Sequence, residues 1–258
     1  AKISEIDYQP LNKQIRLRLS NLHAISANNS FNFEKITFNS FQKNKITAEI
    51  DSITFENFNY IEFFYSNNLI LDNIIAKKLN VKVQLTGTAQ KNKPTSINNF
   101  VNKVYVNKIL LKNGKLEISK NDKKKNFVFK SNFKIKTQNI IIDPQAPKIT
   151  KKADINQIDI IFTKINFFVQ DSIYSITADT LLYSTNSKDI VLANFVLKPF
   201  ENNNENVLKS KHISSLIYFK VPHLRLTRSN LNKAILLDSL YFSSLVLSNA
   251  NLNVTFYP

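Results

Sequence analysis

Three histidines and a few acidic pairs are the residues whose types could do chemistry. His23, His212 and His223 are the whole histidine complement. A histidine near neutral pH can take a proton, activate a nucleophile or ligate a metal. A zinc centre would need further ligands at a defined spacing, as in an HExxH pair, and none of the three has such a neighbour. His212 and His223 are far enough apart to lie on different strands. Two carboxylates could act together as acid and base or share a divalent ion, and Glu49 with Asp51 or Asp154 with Asp159 are the pairs available. Glu49 and Asp51 are two apart, so on a strand they share one face. That face is the wet one if Ile46, Ala48 and Ile50 point inward. Strand histidines and solvated surface carboxylates are therefore the expectation.

The remaining catalytic devices are missing from the sequence. There is no cysteine, which excludes disulfides and thiolate metal sites. No glycine-rich phosphate cradle or nucleophile elbow is present, and serines without a histidine partner do not make a hydrolase. A non-enzymatic protein with no catalytic residue, no metal ligand and no cofactor is expected.

What must position these side chains is a long succession of strands. Ile15, Leu17 and Leu19 interleave with Arg16 and Arg18. Phe31 and Phe33 are followed by Ile36 and Phe38, Phe127 and Phe129 by Phe133 and Ile135, and Ile158, Ile160 and Phe162 by Ile165, Phe167 and Val169. Alternation of this kind makes one face of a strand dry and the other wet. Strand-like stretches run at about 2–8, 13–22, 30–39, 45–55, 68–76, 78–85, 101–111, 115–120, 126–137 and 139–143. Others follow at about 154–169, 173–184, 189–198, 213–226, 240–248 and 250–257. Asn113-Gly114, between Leu111 and Leu116, predicts a type I′ hairpin turn. Other turns are expected at Asn44, Asn121-Asp122 and Ser187-Lys188. Polar segments at Thr86–Asn99 and Glu201–Asn206 read as loops, and Asp143-Pro144 with Ala146-Pro147 as a turn or crossover.

The chain has 258 residues, 43% of them hydrophobic and 20 of them Phe, enough apolar material to rule out disorder. Only two residues are glycine, which suits long strands in an open sheet better than a tightly closed barrel. The formal net charge of +16 makes nucleic acid or an anionic membrane worth weighing. The lysines, however, are dispersed along the polar faces, and the one dense run, Lys120 to Lys125, is expected at a hairpin tip. The phenylalanines sit at dry positions, away from where stacking on bases would need them. No specific nucleic-acid partner is expected. No apolar run is long enough for a transmembrane helix, and no signal peptide is recognisable. Both ends look cut, so one domain of a longer protein is expected.

Two places break the strand rhythm. Phe58-Asn59-Tyr60-Ile61-Glu62-Phe63-Phe64-Tyr65 and Ser229-Asn230-Leu231-Asn232-Lys233-Ala234-Ile235-Leu236 each read as a short helix. One slides over the other without gaps, pairing Ile50 with Val221, Ile53 with Leu224, Phe55 with Leu226, Ile74 with Leu245 and Val81 with Leu252. This points to a repeated strand–helix–strand–strand module.

The run DSITFENFNYIEFFYSNNLILDNIIAKKLNVKV resembles the repeating unit of AsmA-like envelope proteins of the Bacteroidetes type. The C-terminal LNKAILLDSLYFSSLVLSNANLNVTFY is similar to it, and VNKVYVNKILLKNGKLEIS and DSIYSITADTLLYSTNSKDIVLANFVLKP resemble the family's intervening hairpins. The resemblance implies an elongated β-groove with an apolar interior, linked to lipid movement or outer-membrane assembly across the periplasm. It further implies a membrane anchor outside this chain.

These readings combine into one set of expectations. The fold is mainly β, an elongated, curled antiparallel sheet (β-groove or half-barrel) with two short helices near 58–65 and 229–237; the alternative is a β-sandwich. Segments 1–90 and 91–258 are two parts of the groove, or one continuous domain of a longer protein. The partners expected are lipid acyl chains or a membrane, together with other envelope proteins, and the location expected is the periplasm or cell envelope. Candidate lining residues are Phe31, Phe33, Phe38, Phe127, Phe129, Phe133, Ile160, Phe162, Phe167 and Phe195. A structural or adhesive β-domain and a polyanion-binding module are the other functions considered.

Overall fold

The structure, a computed structural model, describes residues 2–9, 15–25, 27, 29–40, 44–85, 102–120, 126–143, 153–169, 173–200, 214–229 and 241–256. Its elements are β1 (Lys2–Tyr8), β2 (Ile15–Ile25), β3 (Ser30–Ser40), β4 (Lys45–Glu56), α1 (Tyr60–Ser66), β5 (Asn68–Leu85), β6 (Lys103–Lys120) and β7 (Phe127–Ile142). They continue with β8 (Ala153–Val169), β9 (Tyr174–Ser184), β10 (Asp189–Pro199), β11 (Ser215–Thr227), β12 (Ser244–Ser248) and β13 (Asn251–Phe256). All 13 strands belong to one sheet in sequence order, with β12 and β13 both pairing with β11. Nothing among the described residues pairs the last strands back to β1, so the sheet is open. No second sheet is found among these residues to make a sandwich. The helix expected near 229–237 lies outside the described residues except for Ser229, as do the loops at Thr86–Asn99 and Glu201–Asn206.

The expected hairpin at Asn113-Gly114 is corrected by the structure. β6 runs straight through it, and Asn113 adopts a left-handed conformation (φ 56°) inside the strand. The breaks expected near 77 and 138 also disappear into β5 and β7, which are 18 and 16 residues long. The physical reason is shared. Lys78 and Asn139 are left-handed within their strands, as are Asn21 in β2, Lys164 in β8 and Asn194 in β10. Asparagine tolerates this region because its short amide hydrogen-bonds locally, so it does here what glycine does in other sheets.

Each such residue marks a slip in the alternation. In β2 the apolar positions are Leu17 and Leu19, then Leu22 and Ala24. Their partners in β3 slip with them: Leu17 faces Phe38, Leu19 faces Ile36, Leu22 faces Phe33 and Ala24 faces Phe31. The step repeats between β4 and β5, where Ile50 faces Leu79 and Ile53 faces Ala76. Strict period two would send the residues beyond the slip to the opposite side. The rings of β7 and β8 show that they stay. Phe162 packs near Phe129 at 6.5 Å and Phe167 near Phe127 at 5.8 Å, although Phe162 and Phe167 differ in parity. Lys164, left-handed and between them, turns the strand so that both remain on one face.

A carboxylate on the neighbouring strand accompanies several left-handed residues. Asn21 Nδ2 donates to Glu34 Oε2 at 2.6 Å, Asn57 Nδ2 to Asp72 Oδ2 at 2.7 Å, and Asn194 Nδ2 to Asp179 Oδ2 at 2.7 Å. Lys78 Nζ lies 3.0 Å from Asp51 Oδ2. Replacing Asn194 by valine should lower unfolding free energy by about 1–2 kcal/mol, because a β-branched side chain resists this region. Asn194→Gly should stay within roughly 0.5 kcal/mol. Urea denaturation of the two variants checks the difference.

The two places that break the strand rhythm share the register of their flanking strands. Ile46 faces Val83 and Phe55 faces Ile74, while Ile217 faces Val254 and Leu226 faces Leu245. The shift that superposes these pairs also places left-handed Asn57 on left-handed Arg228, and Lys78 on Asn249.

Two compact units divide the chain: Ala1–Lys115 with Lys134–Asp159, and Leu116–Phe133 with Ile160–Pro258. In the first, Leu71, Val106 and Ile140 form a buried cluster on β5, β6 and β7, with Phe55, Phe58 and Leu69 against it. In the second, Val221 is 0% exposed, and Ile173 and Leu216 form a small cluster with Tyr174. Arg225 and the Arg228 backbone N–H bind the buried Asp189 carboxylate there, and Arg225 holds its pKa below the ordinary value.

The edge strand β1 is fixed by charge. Arg16 donates to Asp7 from Nε at 3.1 Å and from its terminal nitrogen at 2.6 Å, and Arg18 Nε donates at 3.1 Å. The Arg16 hydrogen bonds, followed by those of Arg18, lower the Asp7 pKa from 3.8 to about 2. A depressed carboxylate stabilises the fold above its unfolded pKa, and this contribution is lost as pH falls toward the folded value. Amide exchange in residues 2–8, corrected for intrinsic rates, should therefore accelerate between pH 3.8 and about 2. Asp7→Asn should remove that pH dependence.

Candidate functional site

Each unit has its own part of the apolar face, and the candidate site is built from it. In the first unit, Phe31, Phe33 and Phe38 all lie on β3 and are half-buried. Phe31 sits between Ala24 and Phe55 and packs edge-on to Phe58 at 5.1 Å; Phe33 packs edge-on to Phe55 at 6.1 Å. Phe38 lies between Leu17 and Ala48. Apolar residues thus meet apolar residues along the middle of these strands, while at their ends Ile15 and Ile46 face Ser40 and Ile25 faces Ser30. Each aromatic pair adds about 0.5–1.5 kcal/mol beyond area burial.

Phe127, Phe129 and Phe133 on β7 and Ile160, Phe162 and Phe167 on β8 belong to the second unit. Phe162 touches both Phe129 and Phe133, the latter at 6.3 Å, so these strands present one aromatic surface. Phe195, on β10, packs with Phe219 of β11 at 6.2 Å. Of the ten expected lining residues only Phe133 is buried, at 7% exposed; the other nine keep more of their surface accessible. A face of this kind can exclude water around a flexible apolar ligand without any directional group.

Phe55, Phe58 and Phe63 extend the surface of the first unit and Phe219 that of the second, and none of the four is among the expected residues. Phe55 and Phe219 could have been found by following the slipped alternation in their strands. Phe58 and Phe63 belong to the α1 segment, whose inward positions depend on how the helix docks. Asn59 caps α1 by accepting the Glu62 N–H at 3.1 Å, and the left-handed Asn67 ends it. Backbone bonds from Phe58 to Asn29 O (2.9 Å) and from Asn59 to Ile70 O (3.1 Å) fasten it to the sheet.

The opposite face is polar: Thr37 faces Glu49, and Glu49 faces Asn80. Glu49 and Asp51 are exposed there, as the sequence suggested. His23 lies 3.2 Å from Glu34 and borders a shallow depression of ≈ 620 Å³ with Asn32, Thr54 and Glu56. Such a dyad could orient an imidazole as a base, but the Thr54 hydroxyl is turned onto Asn32 Oδ1 at 3.1 Å. His223 is exposed opposite Ala193 and Ser248, and His212 lies outside the described residues. Asp159 accepts a bond from Gln157 at 2.7 Å, and Asp154 is exposed. Among the described residues, no three His, Cys, Asp or Glu side chains gather as a metal site would require. No helix among them is long and apolar enough to cross a membrane.

Comparison with protein-family models gives no match, and no curated protein matches the chain.

Proposed function

We propose that this chain is a non-enzymatic, envelope-associated β-groove protein of AsmA-like type that binds or conducts lipid acyl chains or assists outer-membrane assembly. The carrying observation is the continuity of the apolar face. Left-handed residues keep it on one side of strands up to 18 residues long, while its phenylalanines other than Phe133 stay partly accessible. An 18-residue strand extends about 60 Å, against roughly 15 Å for one leaflet's acyl layer. Transfer of an acyl chain onto such a face is favourable by about 0.8 kcal/mol per CH₂ and needs no polar motif. Phe31, Phe33, Phe38, Phe127, Phe129, Phe133, Ile160, Phe162, Phe167 and Phe195 are the contacts in this reading. The shared register of β4–β5 and β11–β13 supports a repeated module. The location proposed is the periplasm, with a membrane anchor outside the chain and envelope proteins as further partners.

Organic extraction and native mass spectrometry of protein purified without detergent test this reading. Phospholipid or fatty acid at a defined stoichiometry supports it. Lipid-free protein that also fails to take up added fatty acid overturns it in favour of a structural β-domain.

A further inference from the structure

The outward face of α1 is the least explained surface of the first unit. Tyr60, Ile61, Phe64 and Tyr65 recur at helical spacing on one side and are 50%, 56%, 75% and 88% exposed. Isolated apolar residues on a surface are ordinary, but four on one short helix form a patch. The helix is also held rigidly. Besides its caps and the bonds of the preceding residues to Asn29 and to Ile70 of β5, Asn102 donates from its backbone to Asn67 O at 2.8 Å and from Nδ2 to Ser66 O at 2.9 Å. The patch is therefore kept in water by the fold.

We propose that this face of α1 docks onto the interface of an uncharged lipid bilayer, a proposal that rests on the acyl-chain reading above. Three observations identify the occupant. First, a chain of rings joins the patch to the apolar sheet face: Phe64 to Phe63 at 5.5 Å, Phe63 to Phe58 at 5.4 Å and Phe58 to Phe31 at 5.1 Å. The surface that meets the bilayer is thus continuous with the surface that takes acyl chains. Second, the residue types are those of the headgroup boundary, where Tyr keeps its hydroxyl wet and its ring dry. Third, the area is too small for a protein partner. Weighted by these exposures, four side chains of this size offer roughly 400–700 Å², below the about 800 Å² that each partner contributes to a standard protein interface. Seven residues are also too few for the i to i+7 anchors of a helix in a groove. The helix has no basic residue, and its single carboxylate, Glu62, takes a bond from Asn68 at 3.3 Å, so the attachment owes nothing to anionic lipid.

The chain contains no tryptophan, so Phe64→Trp provides a single reporter at the patch. Phosphatidylcholine vesicles are the probe, because their neutral surface gives the +16 chain no electrostatic reason to bind. The expected result is a blue shift of the introduced indole's emission and its quenching by phosphatidylcholine brominated near the headgroup. Phe64→Ser with Tyr65→Ser should lower the vesicle partition coefficient of the otherwise unaltered chain about a hundredfold, roughly tenfold per side chain. Its urea midpoint should be unchanged; if that variant does not fold, the emission of the Phe64→Trp protein decides alone. An unshifted, unquenched indole in the Phe64→Trp protein, or full vesicle binding by a folded double-serine variant, overturns the docking site. Either result can coexist with lipid recovered by extraction, which leaves the acyl-chain reading standing.

Discussion

Charge placed on the dry face should abolish lipid binding. Phe129→Asp combined with Phe162→Asp removes two rings that pack at 6.5 Å and puts two carboxylates where acyl carbon would lie. Lost ring contact and the desolvation of charge together should weaken fatty-acid binding at least about a hundredfold. Because both rings are half-buried, the aspartates can reach solvent once ligand is absent, so the chain should still fold. Lys134→Asp, on an exposed position of the same β7 strand, should leave binding unchanged. Titration with a fluorescent fatty acid, alongside circular dichroism, measures both.

The largest stability effect is expected at Leu71. It is 3% exposed and meets Val106 and Ile140 in a cluster of only three buried side chains. Truncation to alanine should cost about 2–5 kcal/mol, the lost transfer energy plus a cavity. With typical total stabilities of roughly 5–15 kcal/mol, that is a large share. Tyr65→Ala, at an 88% exposed position, should change stability by less than about 0.5 kcal/mol. Urea denaturation followed by far-ultraviolet circular dichroism compares the two.

Strand positions were legible because alternation reports burial directly. β1 falls at Lys2–Tyr8 as expected, and β3, β4 and β10 differ from their expected bounds by a residue. Their apolar residues need one dry face, and no tertiary accident intervenes. Asn113-Gly114 was misread because the conformational tolerance that makes Asn a good turn residue also lets it serve mid-strand. Asn113 inside β6 and Lys188, which ends a turn between β9 and β10, are both left-handed, so that conformation alone does not mark a turn. What separates them is the neighbour across the sheet, which a single strand does not contain. The slips themselves were written in the sequence, as the step from Phe33 to Ile36 and from Phe162 to Ile165. Their meaning depends on Lys164 and its counterparts being left-handed. As for the site, the phenylalanines of β3, β7 and β8 could be listed because each lies in a locally alternating run, although in β3 and β8 the runs before and after the slip have opposite parity. The partnership of Phe58 and Phe63 with Phe31 could not, because it depends on where α1 docks. The Glu49–Asp51 pair was legible in the weaker sense that its wet-face position followed from Ile46, Ala48 and Ile50.

The central claim is that acyl chains lie along a dry face that the slips hold on one side. Single tryptophans placed in turn along β8, in a chain that otherwise has none, test it with brominated fatty acid as quencher. Quenching is expected at Ile160→Trp, Phe162→Trp and Phe167→Trp, and its absence at Ile161→Trp, Lys164→Trp and Asn166→Trp. The pattern would thus change parity across Lys164. Quenching that keeps one parity through the strand, that is equal on both faces, or that occurs at none of the six positions would contradict it.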